Sequence, residues 1–170
     1  MDYSSPYCKY YRKIYTCFQR NPAVLRIFIF FYHILPVFAV LMYGDLLVMA
    51  MMYGGKMMIL KVIFVPLILF IGITLLRKVI NAPRPYTKYE ITPLIQKDKE
   101  NESMPSRHTA SFTIIAMAWL YVYVPVGCIM LFLALLMGVL RVIAGVHFIK
   151  DVVTAYGISV IVGIIGFFIL

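Results

Sequence analysis

Three short groups of charged side chains stand at the ends of long apolar runs: Arg77 with Arg84-Pro85, Pro105-Ser106-Arg107-His108, and Arg141 with His147 and Asp151. Charge at such positions is costly beside hydrocarbon, so its presence indicates a function. Several guanidinium groups near two imidazoles suit an anion with many oxygens, and phosphate is the first candidate. The residue types therefore predict a phosphate-handling site at the edge of an apolar helix bundle.

The two histidines of these groups predict acid–base or nucleophilic chemistry. His147 and Asp151 are four residues apart, so on a helix they would share one face. A carboxylate there accepts a proton from one imidazole nitrogen and makes the other nitrogen more basic, as a nucleophile requires. His108 would then protonate the leaving oxygen as a general acid.

The remaining charged residues suit the binding of a phosphoryl group. Arg77, Arg84 and Arg141 would hold its non-bridging oxygens and offset the charge that grows in the transition state. Ser106, beside the start of a helix, would add a hydroxyl or amide contact. For any one arginine, snorkelling to the membrane interface is the simpler interpretation, but it explains four arginines beside two histidines poorly.

Composition places these groups in a membrane. Of 170 residues, 63% are hydrophobic and 14% are charged, whereas soluble domains are about 45–50% apolar. We expect an integral cell-membrane protein of one domain, residues 1–170. The net charge of +9 fits anionic lipid headgroups better than nucleic acid, because several arginines interrupt or bound apolar runs. Three scattered cysteines predict neither a disulfide framework nor a zinc site, and no protein partner is implied.

The elements that must position the site are apolar helices. Long, largely apolar runs predict spans at 27–53, 57–80 and 148–170. The uncharged stretch 109–140 would reach about 48 Å as one helix, so a turn near Pro125 and Gly127 is expected to divide it in two. The fold class is therefore all-α, a bundle of five transmembrane helices. An amphipathic helix in the segment 1–22 is expected to lie at the interface, and the polar segment 81–107 is expected to form an active-site loop.

The predicted turn has a chemical consequence. It returns Arg141 to the membrane face that carries His108, whereas one continuous helix would separate the two by the bilayer. With five spans, all three charged groups meet on one face.

Together, the three groups resemble the signatures of the type-2 phosphatidic acid phosphatase superfamily, which also includes vanadium haloperoxidases. The order of the groups and the spacing within each match that pattern over about residues 57–170. The resemblance implies a metal- and cofactor-free phosphatase in which His147 forms a phosphohistidine, Asp151 orients it and His108 is the acid. It implies phosphoryl binding by Arg77, Arg84, Ser106 and Arg141.

Three positions depart from the family pattern. Arg77 replaces the usual lysine, so a forked donor replaces a point charge. Arg107 stands where glycine is usual and is expected to contact the phosphate itself. Leu140 replaces a serine, so one supporting hydroxyl is lost.

The resemblance leaves three substrates open: undecaprenyl pyrophosphate, phosphatidylglycerophosphate and phosphatidate. We favour undecaprenyl pyrophosphate. A non-catalytic lipid-phosphate binding or transport protein is the alternative from another class. Sidedness is also open. The basic N-terminal residues favour a cytoplasmic site, whereas the outward-facing sites of similar bacterial proteins favour an extracytoplasmic one, which we prefer slightly.

Overall fold

A computed structural model describes residues 5–170, which are helical with connecting turns and contain no strand in that range. In chain order the helices are α1 (Pro6–Arg20), α2 (Pro22–Tyr53), α3 (Lys56–Ile80), α4 (Pro85–Tyr89), α5 (Arg107–Val122), α6 (Val124–Ile143) and α7 (Ile149–Gly163), followed by a π-helix (Ile164–Ile169). The prediction of an all-α fold is confirmed.

Within the described residues, four helical segments are long and apolar enough to cross a membrane: Pro22–Tyr53, Lys56–Tyr89, Val124–Ile143 and Ile149–Ile169. The fifth expected span corresponds to α5, which has 16 residues. At about 1.5 Å per residue it reaches roughly 24 Å, less than a hydrocarbon core of about 30 Å. The crossing of the membrane by α5 therefore stays a prediction.

Helix α5 lies in the centre of the bundle. It packs against α2, α3, α6 and α7, and nearly every side chain from Thr109 to Trp119 is buried. The Trp119 indole donates a hydrogen bond to the Met42 carbonyl of α2 at 3.0 Å. Because other helices pack around α5, the polar residues at its start lie between the ends of those neighbouring helices.

The turn between α5 and α6 falls at Tyr123, upstream of the predicted turn at Pro125 and Gly127. Pro125 lies in the first turn of α6, where a missing N–H leaves no hydrogen bond unmade. Proline therefore begins the second helix instead of forming the turn. A Cβ at Gly127 would collide with the Leu120 backbone, so glycine permits the close approach of the two helices.

The segment 81–106 between α3 and α5 is folded onto the bundle. Asn81 ends α3 in a left-handed conformation (φ 45°), and Ser103 N–H donates to the Ala82 carbonyl at 2.8 Å. Leu94 N–H donates to the Ala144 carbonyl, beside α6, at 3.1 Å. Arg107, which we placed at the end of this loop, is the first residue of α5. Backbone hydrogen bonds thus fix the segment at both ends and in the middle.

Helix α1 forms within the predicted N-terminal segment, of which residues 1–4 lie outside the described residues. Its basic residues Lys9, Arg12 and Lys13 are exposed. Cys8 and Tyr11, from the opposite side, are buried against protein. The location of α1 at the membrane interface stays a prediction, and part of its apolar side contacts the bundle instead of lipid.

Candidate active site

Three helix ends meet where the predicted site residues lie. Arg77, in the last turn of α3, donates through Nη1 to the Pro105 carbonyl just before α5 at 2.6 Å. Ser106, the N-cap of α5, donates its backbone N–H to the Asp151 carbonyl of α7 at 3.0 Å. These two bonds bring the ends of α3, α5 and α7 together at one end of the bundle, as the alternating helix directions require.

His147 lies outside the helix on which we expected it. It precedes Phe148, the N-cap of α7, whereas Asp151 is in the first turn. The Asp151 Oδ2 accepts the Phe148 N–H at 2.9 Å, and this capping contact turns the carboxylate back toward His147. His147 Nδ1 lies 3.6 Å from Asp151 Oδ2. The pair therefore forms through a helix cap and not through one helical face.

Ser103 completes this pair and was missed by the sequence analysis. Its hydroxyl donates to Asp151 Oδ2 at 2.5 Å, and its Oγ lies 3.4 Å from His147 Nδ1. Asp151 and Ser103 have no exposed surface, and His147 is 3% exposed. The Nδ1 side of the imidazole thus faces a buried carboxylate and a hydroxyl, which leaves Nε2 as the nitrogen that can meet a substrate.

Burial lowers the pKa of His147 below its usual range, with an added contribution from the Arg84 guanidinium. The neighbouring Asp151 carboxylate acts in the opposite direction. Burial has the larger effect because the ring is almost fully enclosed. The imidazole is therefore neutral at physiological pH and keeps a free lone pair.

Two arginines of the site are buried, and the groups they contact directly are neutral. Arg77 contacts the Pro105 carbonyl and, at 3.5 Å, the Ser103 carbonyl. Arg141, in the last turn of α6, lies 4.0 Å from the centre of the Tyr32 ring. The cation–π contact with Tyr32 orients Arg141 but does not neutralise it.

Arg84 precedes α4 and is buried, with Nε donating to the Asn101 carbonyl at 3.3 Å. Arg107 places its guanidinium carbon 5.5 Å from the Phe70 ring centre. Within residues 5–170, no carboxylate lies within ion-pair distance of any of the four site arginines. The Nε atoms of Arg77, Arg107 and Arg141 are buried without a hydrogen-bond partner in that range. Buried cations without a counter-ion are costly, and a bound oxyanion would offset that charge.

The start of α5 supplies the remaining predicted residues. The Ser106 hydroxyl oxygen accepts a hydrogen bond from Thr109 Oγ1 at 3.0 Å, so its own proton can be donated elsewhere. Its backbone amide is already used by Asp151. His108, in the first turn, is exposed. The position of His108 as the acid opposite His147 stays a prediction.

No three His, Cys, Asp or Glu side chains lie close enough to hold a metal ion in the part of the chain that the structure describes. The site chemistry described above comes from arginine, histidine and serine side chains with one carboxylate.

The family model of the PAP2 superfamily matches residues 56–169, which run from α3 to the π-helix. The chain belongs to the PAP2 superfamily. The resemblance seen in the three charged groups is thereby confirmed. Comparison with curated protein sequences finds no match.

Two solved structures share the fold. LpxE from Aquifex aeolicus matches with a TM-score of 0.72 at 25% identity, over 93% of this chain and 92% of that one. The first transmembrane PAP2-type phosphatidylglycerolphosphate phosphatase from Bacillus subtilis matches with a TM-score of 0.59 at 21% identity, over 96% and 86%. With its apolar helices, the chain is an integral membrane protein.

Proposed function

We propose that this protein is a lipid phosphatase that removes a terminal phosphate from a lipid phosphate or pyrophosphate through a phosphohistidine on His147. The observation that carries the proposal is the set of buried arginines without carboxylate partners beside the His147–Asp151 pair. An anion with several oxygens is the ligand that such a set accepts.

The proposed reaction has two steps. His147 Nε2 attacks phosphorus, and the bond from phosphorus to the leaving oxygen breaks as His108 donates a proton to that oxygen. Asp151 offsets the positive charge that develops on the imidazole. In the second step His108 accepts a proton from water, the water oxygen attacks phosphorus, and the nitrogen–phosphorus bond breaks to release phosphate. Each step then transfers one proton through His108, and the enzyme returns to its starting state.

Arg77, Arg84 and Arg141 would bind the non-bridging oxygens in both steps, because guanidinium groups can donate two parallel hydrogen bonds. Ser106 would donate its hydroxyl proton to the same oxygens. Arg107 would contribute a further cation where the family pattern has glycine. With these charges supplied by side chains, we infer that turnover needs no metal ion.

An apolar cavity close to Arg107 supports a lipid substrate. It has a volume of about 290 Å³ and lies between α2, α3 and α5, with walls that include Tyr43, Pro66 and Ile114. Phe70 lines this cavity and also lies under the Arg107 guanidinium. A lipid whose phosphate rests on the arginines would therefore place a hydrocarbon chain against α3 and α5. In this arrangement α5 acts as the fifth span, with protein around it and the site at its start.

Undecaprenyl pyrophosphate remains our favoured substrate, on the family resemblance. Phosphatidylglycerophosphate is the second candidate, and the fold shared with the Bacillus subtilis enzyme supports it. Phosphatidate is the third. We propose that the site faces the extracytoplasmic side. Labelling of cysteines introduced into the loops, carried out in intact cells, would test this orientation.

Purified protein incubated with each of the three lipids should release phosphate from at least one, with full activity in EDTA. His147→Ala and His108→Ala should abolish turnover, and His33→Ala should not. His33 is the comparison because its ring is exposed and belongs to none of the three charged groups; it contacts the Ile29 carbonyl of its own helix and lies edge-on to Tyr32 with ring centres 5.2 Å apart. Trapping with a radiolabelled substrate should give an acid-labile, alkali-stable phosphoenzyme in wild type.

Turnover that survives His147→Ala would exclude the covalent mechanism. Lipid-phosphate binding without turnover, equal in wild type and His147→Ala, would instead identify a non-catalytic binding or transport protein.

A further inference from the structure

The inward side of α1 contacts the segment that carries His147. Tyr11 is 3% exposed, and its hydroxyl oxygen accepts the Leu94 N–H at 3.1 Å. The same N–H also donates to the Ala144 carbonyl at 3.1 Å. The Leu94 N–H thus links the Tyr11 hydroxyl of α1, the segment 81–106 and the turn after α6.

The Tyr11 ring also fills the space over this turn. Gly145 has a left-handed backbone (φ 76°), and a Cβ at this position would collide with the Tyr11 phenol. Glycine is required both for the conformation and for the close approach of the ring. Gly145 is two residues before His147, so displacement of Tyr11 would free the backbone that leads directly to the imidazole.

Tyr7 holds the other side of His147. Its ring lies 4.9 Å from the Tyr89 ring centre and 5.5 Å from that of Phe148. Phe148 directly follows His147, and its N–H holds the Asp151 carboxylate. Helix α1 therefore contacts the chain on both sides of His147, through Tyr11 at Gly145 and through Tyr7 at Phe148.

We propose that Tyr11, together with Tyr7, is a positioning residue that holds the turn 144–148 and so fixes the direction of the His147 imidazole. The proposal rests on the phosphatase function proposed above. Helix α1 lies outside the region that the family model matches, so the family assignment gives these tyrosines no role. Since neither residue would touch substrate, their loss should lower kcat and leave KM unchanged.

Tyr11→Phe tests this directly, because it removes one hydroxyl and keeps the ring. We expect kcat to fall about three- to tenfold, the effect of one neutral hydrogen bond, with KM constant. Tyr10→Phe is the matched control: it makes the same change in the neighbouring residue, which is 64% exposed. Tyr7→Leu should lower kcat as well, whereas Tyr7→Phe should retain it, because the stacking contact needs only the ring.

A second measurement does not depend on substrate. Hydrogen–deuterium exchange should be faster in Tyr11→Phe than in Tyr10→Phe for peptides that contain Leu94 and residues 144–148, while exchange in α5 stays as in wild type. A general loss of stability would instead raise exchange across all helices.

The outcomes separate the two proposals. Wild-type turnover with an unchanged kcat in Tyr11→Phe, or unchanged exchange at the turn, refutes the positioning role alone. A rise in KM at constant kcat refutes it too. Absence of turnover in wild type refutes the proposed function and, with it, the positioning role.

Discussion

Replacement of Asp151 by asparagine is the sharpest test of the proposed mechanism. The change keeps the size of a side chain that has no exposed surface, and the remaining oxygen can still accept the Phe148 N–H. What it removes is the negative charge 3.6 Å from His147 Nδ1. When Nε2 bonds to phosphorus, the imidazole becomes positively charged, and a neutral amide cannot offset that charge.

The distance sets the size of the effect. At 3.6 Å and an effective dielectric constant of about 20, a carboxylate and a unit positive charge attract by about 4–5 kcal/mol. Because about 1.4 kcal/mol corresponds to a tenfold change in rate, kcat should fall roughly 10³-fold. We expect KM to change little, because the arginines that bind the phosphate are untouched.

The assay is phosphate release from the best lipid substrate in detergent micelles, with the thermal midpoint measured on the same samples. Asp45→Asn is the matched control, because it makes the same chemical change at an exposed position on α2. A loss in Asp151→Asn of less than about tenfold, in protein with a wild-type midpoint, would show that the carboxylate does not stabilise a charged imidazole.

Two further predictions concern the same group. Ser103→Ala removes the hydrogen bond to Asp151 Oδ2. Since hydrogen bonds to charged groups contribute about 1.5–3 kcal/mol, kcat should fall about ten- to a hundredfold. A wild-type kcat in this variant would contradict the role of the hydroxyl. The pH profile should show an acidic limb below pH 6.5, because burial lowers the pKa of His147. The neutral imidazole persists as pH falls until that lowered pKa is reached, and activity is lost below it. A limb centred above pH 7 in kcat/KM would contradict this assignment.

The candidate site residues could be proposed from the sequence because the proposal depends on residue types and local spacing, and their chemical roles stay predictions. Arginines and histidines at the ends of apolar runs have few explanations in a membrane, and the PAP2 superfamily model matches residues 56–169, a range that contains all three groups. The all-α fold followed from the same apolar runs.

The positions of individual turns and side chains were harder to predict from the sequence. The turn at Tyr123 was placed too late, because proline was interpreted as a turn residue and not as the start of α6. His147 was placed on a helix, because a four-residue spacing does not distinguish a helical face from a capping contact. Ser103 and Tyr32 carry no local signal, since one serine in a polar loop and one tyrosine in an apolar helix have many ordinary roles.

The sequence by itself determined which chemical groups are available and that the chain forms apolar helices in a membrane. The first follows from residue identity and the second from the length of the apolar runs. Only the tertiary structure decided how the charges are arranged. Arg141 is oriented by Tyr32, more than a hundred residues away, and Asp151 is held by Ser103 from a connecting segment. The docking of α1 on Gly145 is likewise a contact between distant parts of the chain. Such contacts depend on how helices pack in three dimensions, and no spacing along the chain encodes them.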